Sequence, residues 1–245
     1  MIDVHCHFDM AQNPEKYISD NEKRQIITIG MTNLPSHFQM GMNHVRRYKY
    51  IRLALGLHPL RAKEHAQEYS KFKQYTNETS YIGEVGLDFS QEGFSTKEIQ
   101  IESFEFVLDC IKGKQKIISL HSRRAEREVL DMLIDKGINI AIFHWYSGSV
   151  STLCKIINAK FYFSINSAMI QSDNGKKIIS EIPKELVLTE TDFPFITNNS
   201  ITYVYQYLAQ LWKEPIPKVE QIIDSNFKQI VQKNINNIPC PNNKT

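Results

Sequence analysis

The chain has 245 residues, of which 42% are hydrophobic and 23% charged, and its formal net charge is +2. This length suits one barrel-sized domain or two small ones, and the near-neutral charge argues against strong nonspecific binding to nucleic acid or membranes. The four cysteines form no CxxC pair and are typical of the reduced thiols of an intracellular protein. Because we find no signal peptide and no apolar run of membrane-spanning length, we expect a soluble cytoplasmic protein without membrane association.

Short apolar runs alternate along the chain with segments of helical pattern. The runs are rich in Ile, Val, Leu and Phe, as expected of strands that are buried on both faces. The predicted strands are Ile2–Cys6, Gln25–Gly30, Ile51–Leu57, Tyr81–Val85, Lys116–Leu120, Ile138–Phe143, Lys160–Ile165 and Glu185–Thr189. The predicted helices are Pro35–Tyr50, Ala62–Thr76, Thr96–Lys112, Arg123–Lys136, Ser149–Asn158, Asn174–Ile182, Ser200–Trp212 and Lys218–Lys233.

Eight strands that alternate with helices predict an α/β fold, a single (β/α)8 barrel of the TIM type with its active site at the C-terminal ends of the strands. A doubly wound open sheet is the alternative. It would need a Gly-rich phosphate turn after the first strand, where this chain has His5-Cys6-His7-Phe8-Asp9. We place the barrel at residues 1–234 and expect the Asn- and Pro-rich tail, 235–245, to be frayed.

Metal-compatible side chains recur at the predicted strand ends. His5 and His7 alternate along the first strand, so they share one face and can bind one metal ion, although such a pair alone is more often two ordinary polar residues. Later strands end in His58, Glu84, His121, His144 and Asp192, so five of the eight histidines lie at strand ends. Two divalent ions about 3.5–4 Å apart need a bridging carboxylate and several imidazoles. Glu84 suits the bridge, and Asp192 suits a ligand that also accepts the proton of an attacking water.

The ordered set of motifs around these residues resembles the TatD-like metal-dependent hydrolases, a branch of the amidohydrolase-type barrels. The resemblance covers nearly the whole chain. The motifs are Asp3-Val4-His5-Cys6-His7, Gly56-Leu57-His58-Pro59, Ile82-Gly83-Glu84-Val85-Gly86-Leu87-Asp88, His121-Ser122-Arg123, His144 with Ser147-Gly148, and Glu190-Thr191-Asp192-Phe193-Pro194.

The resemblance implies two divalent ions as cofactors, of which Zn, Mn and Mg are the candidates. It implies that the substrate is a nucleic acid and that the reaction is hydrolysis of phosphodiester bonds, typically by an exonuclease acting on DNA. It also implies that Asp192 and Glu84 are the catalytic residues. The implied metal ligands are His5, His7, Glu84 and Asp192 for one ion, and Glu84, His121 and His144 for the other.

Four further residues are candidates for binding the substrate. Arg123 lies where a helix is predicted to begin, so its guanidinium and the helix N-terminus would bind a phosphate, although an ordinary solvated arginine is the alternative. His58 lies in a Gly-x-His-Pro setting that favours the site, and we do not assign it as a metal ligand. Trp145 and Tyr146 are expected either to stack on a nucleobase or to pack in the core. Glu190 shares a strand face with Asp192 and would support the ligands from outside.

The chain departs from the family pattern mainly around the substrate. Relatives usually read His-Cys-Phe-Ser/Thr-Gly where this chain has His144-Trp145-Tyr146-Ser147-Gly148. They usually have a glycine where this chain has Asn166-Ser167-Ala168, and a basic, proline-rich loop where Phe195–Ser200 carries no charge. The metal site therefore matches the family better than the substrate site does.

Three functions remain open at this point. The first is a phosphodiesterase, most simply a deoxyribonuclease, that acts on DNA or RNA ends. The second is an ester or amide hydrolase such as a D-aminoacyl-tRNA deacylase. It would use the same activated water, so the metal ligands do not distinguish it from a phosphodiesterase. The third is a nuclease-like subunit of a multi-protein antiphage defence system, which would have protein partners.

Overall fold

The computed structural model describes residues 1–196 and 200–236. The last helix runs to Asn236 and so includes residues 235 and 236 of the predicted tail. The rest of that tail, 237–245, lies outside the described residues.

Short parallel strands form the centre of the molecule. They belong to two sheets, one with the order β1-β2-β3 and the other with the order β4-β5-β6-β7-β8-β9. The strands are β1 (Ile2–Cys6), β2 (Ile27–Gly30), β3 (Ile51–Leu53), β4 (Leu55–Leu57), β5 (Tyr81–Gly86), β6 (Ile117–His121), β7 (Ala141–His144), β8 (Tyr162–Ile165) and β9 (Val187–Thr189). The predicted third strand, Ile51–Leu57, is thus β3 and β4 separated by Ala54, and all eight predicted strands are present.

The two sheets meet at two seams. At one seam, β3 continues into β4 through Ala54, whose N–H donates to Gly30 O at 2.8 Å. At the other, beyond the end of β9, Asp192 N–H donates to His5 O at 3.0 Å and His7 N–H donates to Phe193 O at 2.6 Å. The strands therefore surround one interior, and the predicted (β/α)8 barrel is confirmed.

Helices cover the outside of the barrel. They are α1 (Pro14–Lys23), α2 (Pro35–Val45), α3 (His65–Tyr75), α4 (Lys97–Ile111), α5 (Glu126–Asp135), α6 (Val150–Asn158), α7 (Ser167–Gln171), α8 (Asp173–Glu181), α9 (Ile201–Trp212) and α10 (Ile216–Asn236). None of them, within residues 1–196 and 200–236, has the length and apolarity that a bilayer crossing needs.

Helix α1 is absent from the prediction, which went directly from the first strand to the second. Its start is well marked, because the Asn13 side chain accepts a hydrogen bond from Lys16 N at 3.0 Å and Pro14 follows as the first helical residue. However, only Ile18 and Asn21 of this helix are buried. A helix that buries so little has almost no apolar periodicity by which it could be predicted.

The parallel direction of the strands brings their C-terminal ends to one rim, and this positions the site. Strand β5 contributes Glu84 from between two glycines, Gly83 and Gly86. A Cβ on Gly86, where φ is +136°, would lie 2.0 Å from the carbonyl oxygen of His121 on β6. The glycine is therefore required for β5 to approach β6 closely enough to place Glu84 beside His121.

Candidate metal centre

Glu84 lies at the centre of a group of five histidines. Its side chain is 3% exposed, and both of its carboxylate oxygens face imidazole nitrogens. Glu84 Oε2 lies 3.1 Å from His7 Nε2, 3.1 Å from His58 Nε2 and 3.6 Å from His5 Nε2. Glu84 Oε1 lies 2.6 Å from His121 Nδ1 and 3.5 Å from His144 Nε2. Asp192 completes the group, with Oδ1 at 3.9 Å from His5 Nε2.

Three of these histidines have a second partner on the ring nitrogen that faces away from Glu84. His5 Nδ1 lies 2.7 Å from Ser119 Oγ, His144 Nδ1 lies 3.1 Å from Glu190 Oε1, and His121 Nε2 lies 2.8 Å from Asp88 Oδ2. An acceptor on one ring nitrogen holds the proton there and turns the lone pair of the other nitrogen towards the centre. This arrangement is the usual support of histidines that bind a metal ion.

The residues present fit divalent cations. His5 Nε2 is buried and has no hydrogen-bond partner among the described residues, which is costly for a polar atom unless something else binds it. Potential ligand atoms come together within 4.8 Å in three groups: His5, His7 and Glu84; His5, His144 and Asp192; and His58, Glu84 and His121. Mixed imidazole and carboxylate ligands suit Zn and Mn, and more weakly Mg.

His58 differs from the other histidines in which nitrogen of its ring carries the proton. The backbone N–H of Leu60 donates to His58 Nδ1 at 3.1 Å, so Nδ1 must offer a lone pair. In the neutral ring the proton then lies on Nε2, the atom that faces Glu84. A nitrogen that carries a proton cannot bind a metal ion. In this tautomer His58 presents a hydrogen-bond donor to Glu84, and its omission from the metal ligands stays a prediction.

Burial and neighbouring charges shift the pKa values in the centre. Burial opposes ionisation of Glu84, but His58 and His121 outweigh it and hold the pKa of this carboxyl well below its usual range. Burial and the neighbouring His144 lower the pKa of His5 to about 4. Burial alone would lower the pKa of His144, but the carboxylates of Glu190 and Glu84 raise it to about 10. At neutral pH, Glu84 is thus an anion and His5 a neutral imidazole, which are the forms that bind metal ions, whereas a cation bound by His144 would have to displace the proton of its ring.

A cleft of about 730 Å³ opens above this centre. His7, His58, Glu84, His121, His144 and Asp192 form its floor, and Met10, Arg61, Glu92, Arg123, Trp145 and Phe195 are among the residues around its mouth. The side chain of Trp145 is 38% exposed and that of Phe195 is 56% exposed. The cleft therefore has a polar floor and a partly aromatic rim.

The structure corrects the expectation for Tyr146, which does not reach the cleft. It is 1% exposed, its hydroxyl donates to Ser149 O at 2.7 Å, and its ring packs against Phe143 and Phe163. Tyr146 belongs to the core, which was the alternative for this aromatic pair. Its predicted role in stacking on a base is wrong, whereas its neighbour Trp145 lies at the rim.

The surroundings of Arg123 also differ from the prediction. Helix α5 begins at Glu126, three residues later than expected, and Arg123 lies in the turn before it. The helix N-terminus is therefore not the partner of this guanidinium. Arg123 itself is exposed and lines the cleft, so it can still contact a phosphate there.

Asp88 and Ser119 are site residues that the sequence reasoning missed. Asp88 is fully buried, with one carboxylate oxygen on His121 and the other accepting from Ser90 N at 2.8 Å. The Gly-Leu-Asp run after Glu84 was a usable signal for Asp88. Ser119 had no such signal, because only the barrel brings it to His5, 114 positions away.

An eight-stranded parallel barrel with histidines and carboxylates grouped at its strand ends is typical of a metal-dependent hydrolase. The family model described as TatD related DNase matches residues 2–232. The chain therefore belongs to the TatD family of metal-dependent hydrolases.

Relatives and solved structures agree with this family. A metal-dependent hydrolase of Methanocaldococcus jannaschii is 28% identical over 240 residues, covering 95% of this chain and 94% of the relative. Deoxyribonuclease TATDN3 of Homo sapiens is 22% identical over 260 residues, covering 95% of each chain. The crystal structure of YjjV, a TatD homologue from Escherichia coli, superimposes with a TM-score of 0.81 at 21% identity, covering 94% of this chain and 97% of the other.

Proposed function

We propose that this protein is a two-metal phosphodiesterase that hydrolyses DNA or RNA from its ends. The observation that carries the proposal is the central carboxylate of Glu84, which contacts imidazoles on both of its oxygens and so suits a bridge between two cations. The name of one relative supports the nucleic-acid substrate, since that of Homo sapiens is named a deoxyribonuclease.

The buried floor provides enough ligands for two ions. His5, His7, Glu84 and Asp192 would hold one ion, and Glu84 with His121 and His144 would hold the other. When bound, the ions would polarise the phosphoryl group and lower the pKa of the attacking water. The supporting contacts of Ser119, Asp88 and Glu190 would keep the ligand rings in their orientation.

Three side chains would then act on the substrate directly. Asp192 would accept a proton from the attacking water at its carboxylate, as a general base. His58, whose Nε2 carries a proton, would donate a hydrogen bond to a phosphoryl oxygen. Arg123 would bind a phosphate at the rim, as a planar guanidinium does well.

A substrate panel with metal add-back tests this proposal. The purified protein is stripped of metal, reloaded separately with Zn, Mn or Mg, and offered single- and double-stranded DNA, RNA and aminoacyl-tRNA. We expect metal-dependent release of nucleotides from DNA or RNA ends, about 10²–10⁴-fold slower in the Asp192→Asn variant. Release of the amino acid from aminoacyl-tRNA without phosphodiester cleavage would overturn the proposal in favour of a deacylase.

A further inference from the structure

Trp145 combines an unusual backbone conformation with an exposed side chain. It directly follows His144, and its φ of +40° lies in the left-handed region that bulky residues rarely adopt. This conformation has an energetic cost for a residue with a bulky side chain. Its indole remains 38% exposed, so burial of the ring offsets this cost only in part. Strained residues of this kind concentrate where ligands are held.

Phe195 provides a second aromatic ring at the same rim. It is 56% exposed, and its ring centroid lies 5.1 Å from that of His7 in an edge-to-face contact. The centroid of Trp145 lies 6.3 Å from that of His144, also edge to face. Each exposed ring therefore adjoins a histidine of the metal centre, and both line the cleft.

We propose that Trp145 and Phe195 form a subsite that binds an unpaired nucleobase by stacking, next to the phosphate that reacts. The inference rests on the proposed function, since the metal centre is taken to bind that phosphate. Base and phosphate of one nucleotide are separated by a single sugar, which matches rings that directly adjoin the metal-centre histidines. A base within a duplex has both faces covered by its neighbours, so the subsite selects terminal, frayed or single-stranded nucleotides.

The charge distribution around the cleft supports a base rather than a longer stretch of backbone as the occupant. From Phe193 to Trp212 the sequence has no lysine or arginine, so this segment, which contributes Phe195 to the cleft, offers no cation to a phosphate chain. Stacking of a base on an aromatic side chain contributes about 1–3 kcal/mol and does not depend on charge. A planar, uncharged partner therefore suits the two exposed rings, Trp145 and Phe195.

The test compares two ligands that differ only in the base. Thymidine 5′-monophosphate and 2-deoxyribose 5-phosphate are titrated into the metal-loaded wild-type protein and followed by calorimetry. The stacking energy predicts that the nucleotide binds about 5- to 150-fold more tightly. In the Trp145→Ala variant this preference should fall severalfold, and in Trp145→Phe most of it should remain. Phe94→Ala, which removes an aromatic ring that is 61% exposed outside the cleft, is the matched control.

Tryptophan fluorescence gives an independent measurement. The chain has two tryptophans, so Trp212→Phe leaves Trp145 as the only one. The nucleotide should quench its emission, and 2-deoxyribose 5-phosphate should not.

The outcomes separate this inference from the proposed function. If the wild-type protein cleaves oligonucleotides but binds both ligands equally, the subsite is refuted and the phosphodiesterase stands. If it cleaves no nucleic acid, yet prefers the nucleotide and loses that preference in Trp145→Ala, the subsite stands and the proposed reaction is wrong.

Discussion

The floor and the rim of the cleft are built on different physical principles. On the floor, Glu84, His5, His7 and His144 are buried, His58 and His121 are half-buried, and His5, His121 and His144 are each held by a second polar partner. At the rim, Arg123, Trp145 and Phe195 are exposed. A buried polar group must satisfy its hydrogen bonds, so a change on the floor has consequences for all its neighbours. A rim residue can change without such consequences, and two of the departures from the family pattern, at Trp145 and Phe195, lie there.

The largest expected effect comes from Glu84→Ala, which removes the centre of the floor. Because this carboxylate contacts His7, His58 and His121, we expect loss of both bound ions and of detectable hydrolysis. Metal analysis of the purified variant together with an activity assay measures this. Glu92→Ala, which removes an exposed carboxylate from the same cleft, should keep its metal content. Two ions retained in Glu84→Ala would rule out the bridge.

Asp192→Asn should separate catalysis from metal binding. If Asp192 accepts the proton of the water, turnover should fall about 10²–10⁴-fold while the fold is retained, because an amide is not a base. Turnover is measured with metal at saturation, and circular dichroism verifies the fold. Retention of more than about a third of the wild-type turnover would show that another group is the base.

His58→Ala tests whether a floor histidine can be a donor and not a ligand. With Nδ1 already accepting from Leu60 N, we expect the variant to keep both ions and lose about 10²–10³-fold in turnover, the usual effect of removing one donor to a developing charge. Metal analysis and turnover on the same sample provide the answer. Loss of an ion would mean that His58 is a ligand and that Leu60 N is bound differently when metal is present.

Asp88 supports the floor from outside, so its removal should have a smaller effect. Asp88→Ala leaves His121 Nε2 without its acceptor, and loss of such support typically costs about 10–100-fold in metal affinity or activity. Asp88→Asn retains an oxygen that can accept from the ring and should lose less. Metal affinity is measured by competition with a chelator, and equal losses in the two variants would argue against this positioning role.

The smallest effect concerns the salt dependence that the rim controls. Each phosphate contact on a single strand contributes a slope of about −0.7 in log affinity against log salt. The absence of lysine and arginine from Phe193 to Trp212 should make the slope shallower by about 1.5–2 units than in a relative with a basic loop there, and Arg123→Ala should reduce it by about 0.7 more. Cleavage of a short oligonucleotide and a long duplex across a salt series measures both. Steep dependence with a preference for the duplex would show that another surface binds the backbone.

Much of the floor could be predicted because it follows from local rules. The alternation of side chains along β1 puts His5 and His7 on one face, and parallel strands bring their ends to one rim. The outer partners were harder to predict, since Ser119 reaches His5 only through the closed barrel. Glu190 was the outer partner that could be predicted, because it lies on the same strand face as Asp192.

The rim could be predicted less well because it consists of turns. Trp145 and Tyr146 are adjacent aromatic residues, and for each the sequence allowed either stacking on a base or packing in the core. Nothing in the sequence showed which residue does which. The left-handed conformation at Trp145 turns one ring towards the cleft and lets the other pack between Phe143 and Phe163. Likewise, Arg123 lies in a turn because α5 begins only at Glu126.

The sequence by itself determined the barrel, the metal-compatible residues and their order along the chain. These depend on hydrophobic period and residue type, which are local properties. The tertiary structure decided which nitrogen of each imidazole faces Glu84, which aromatic ring lies at the rim, and that Asp88 and Ser119 belong to the site. These depend on contacts between segments far apart in the chain, or on one residue's departure from regular backbone geometry, and neither is visible in a pattern of residue types.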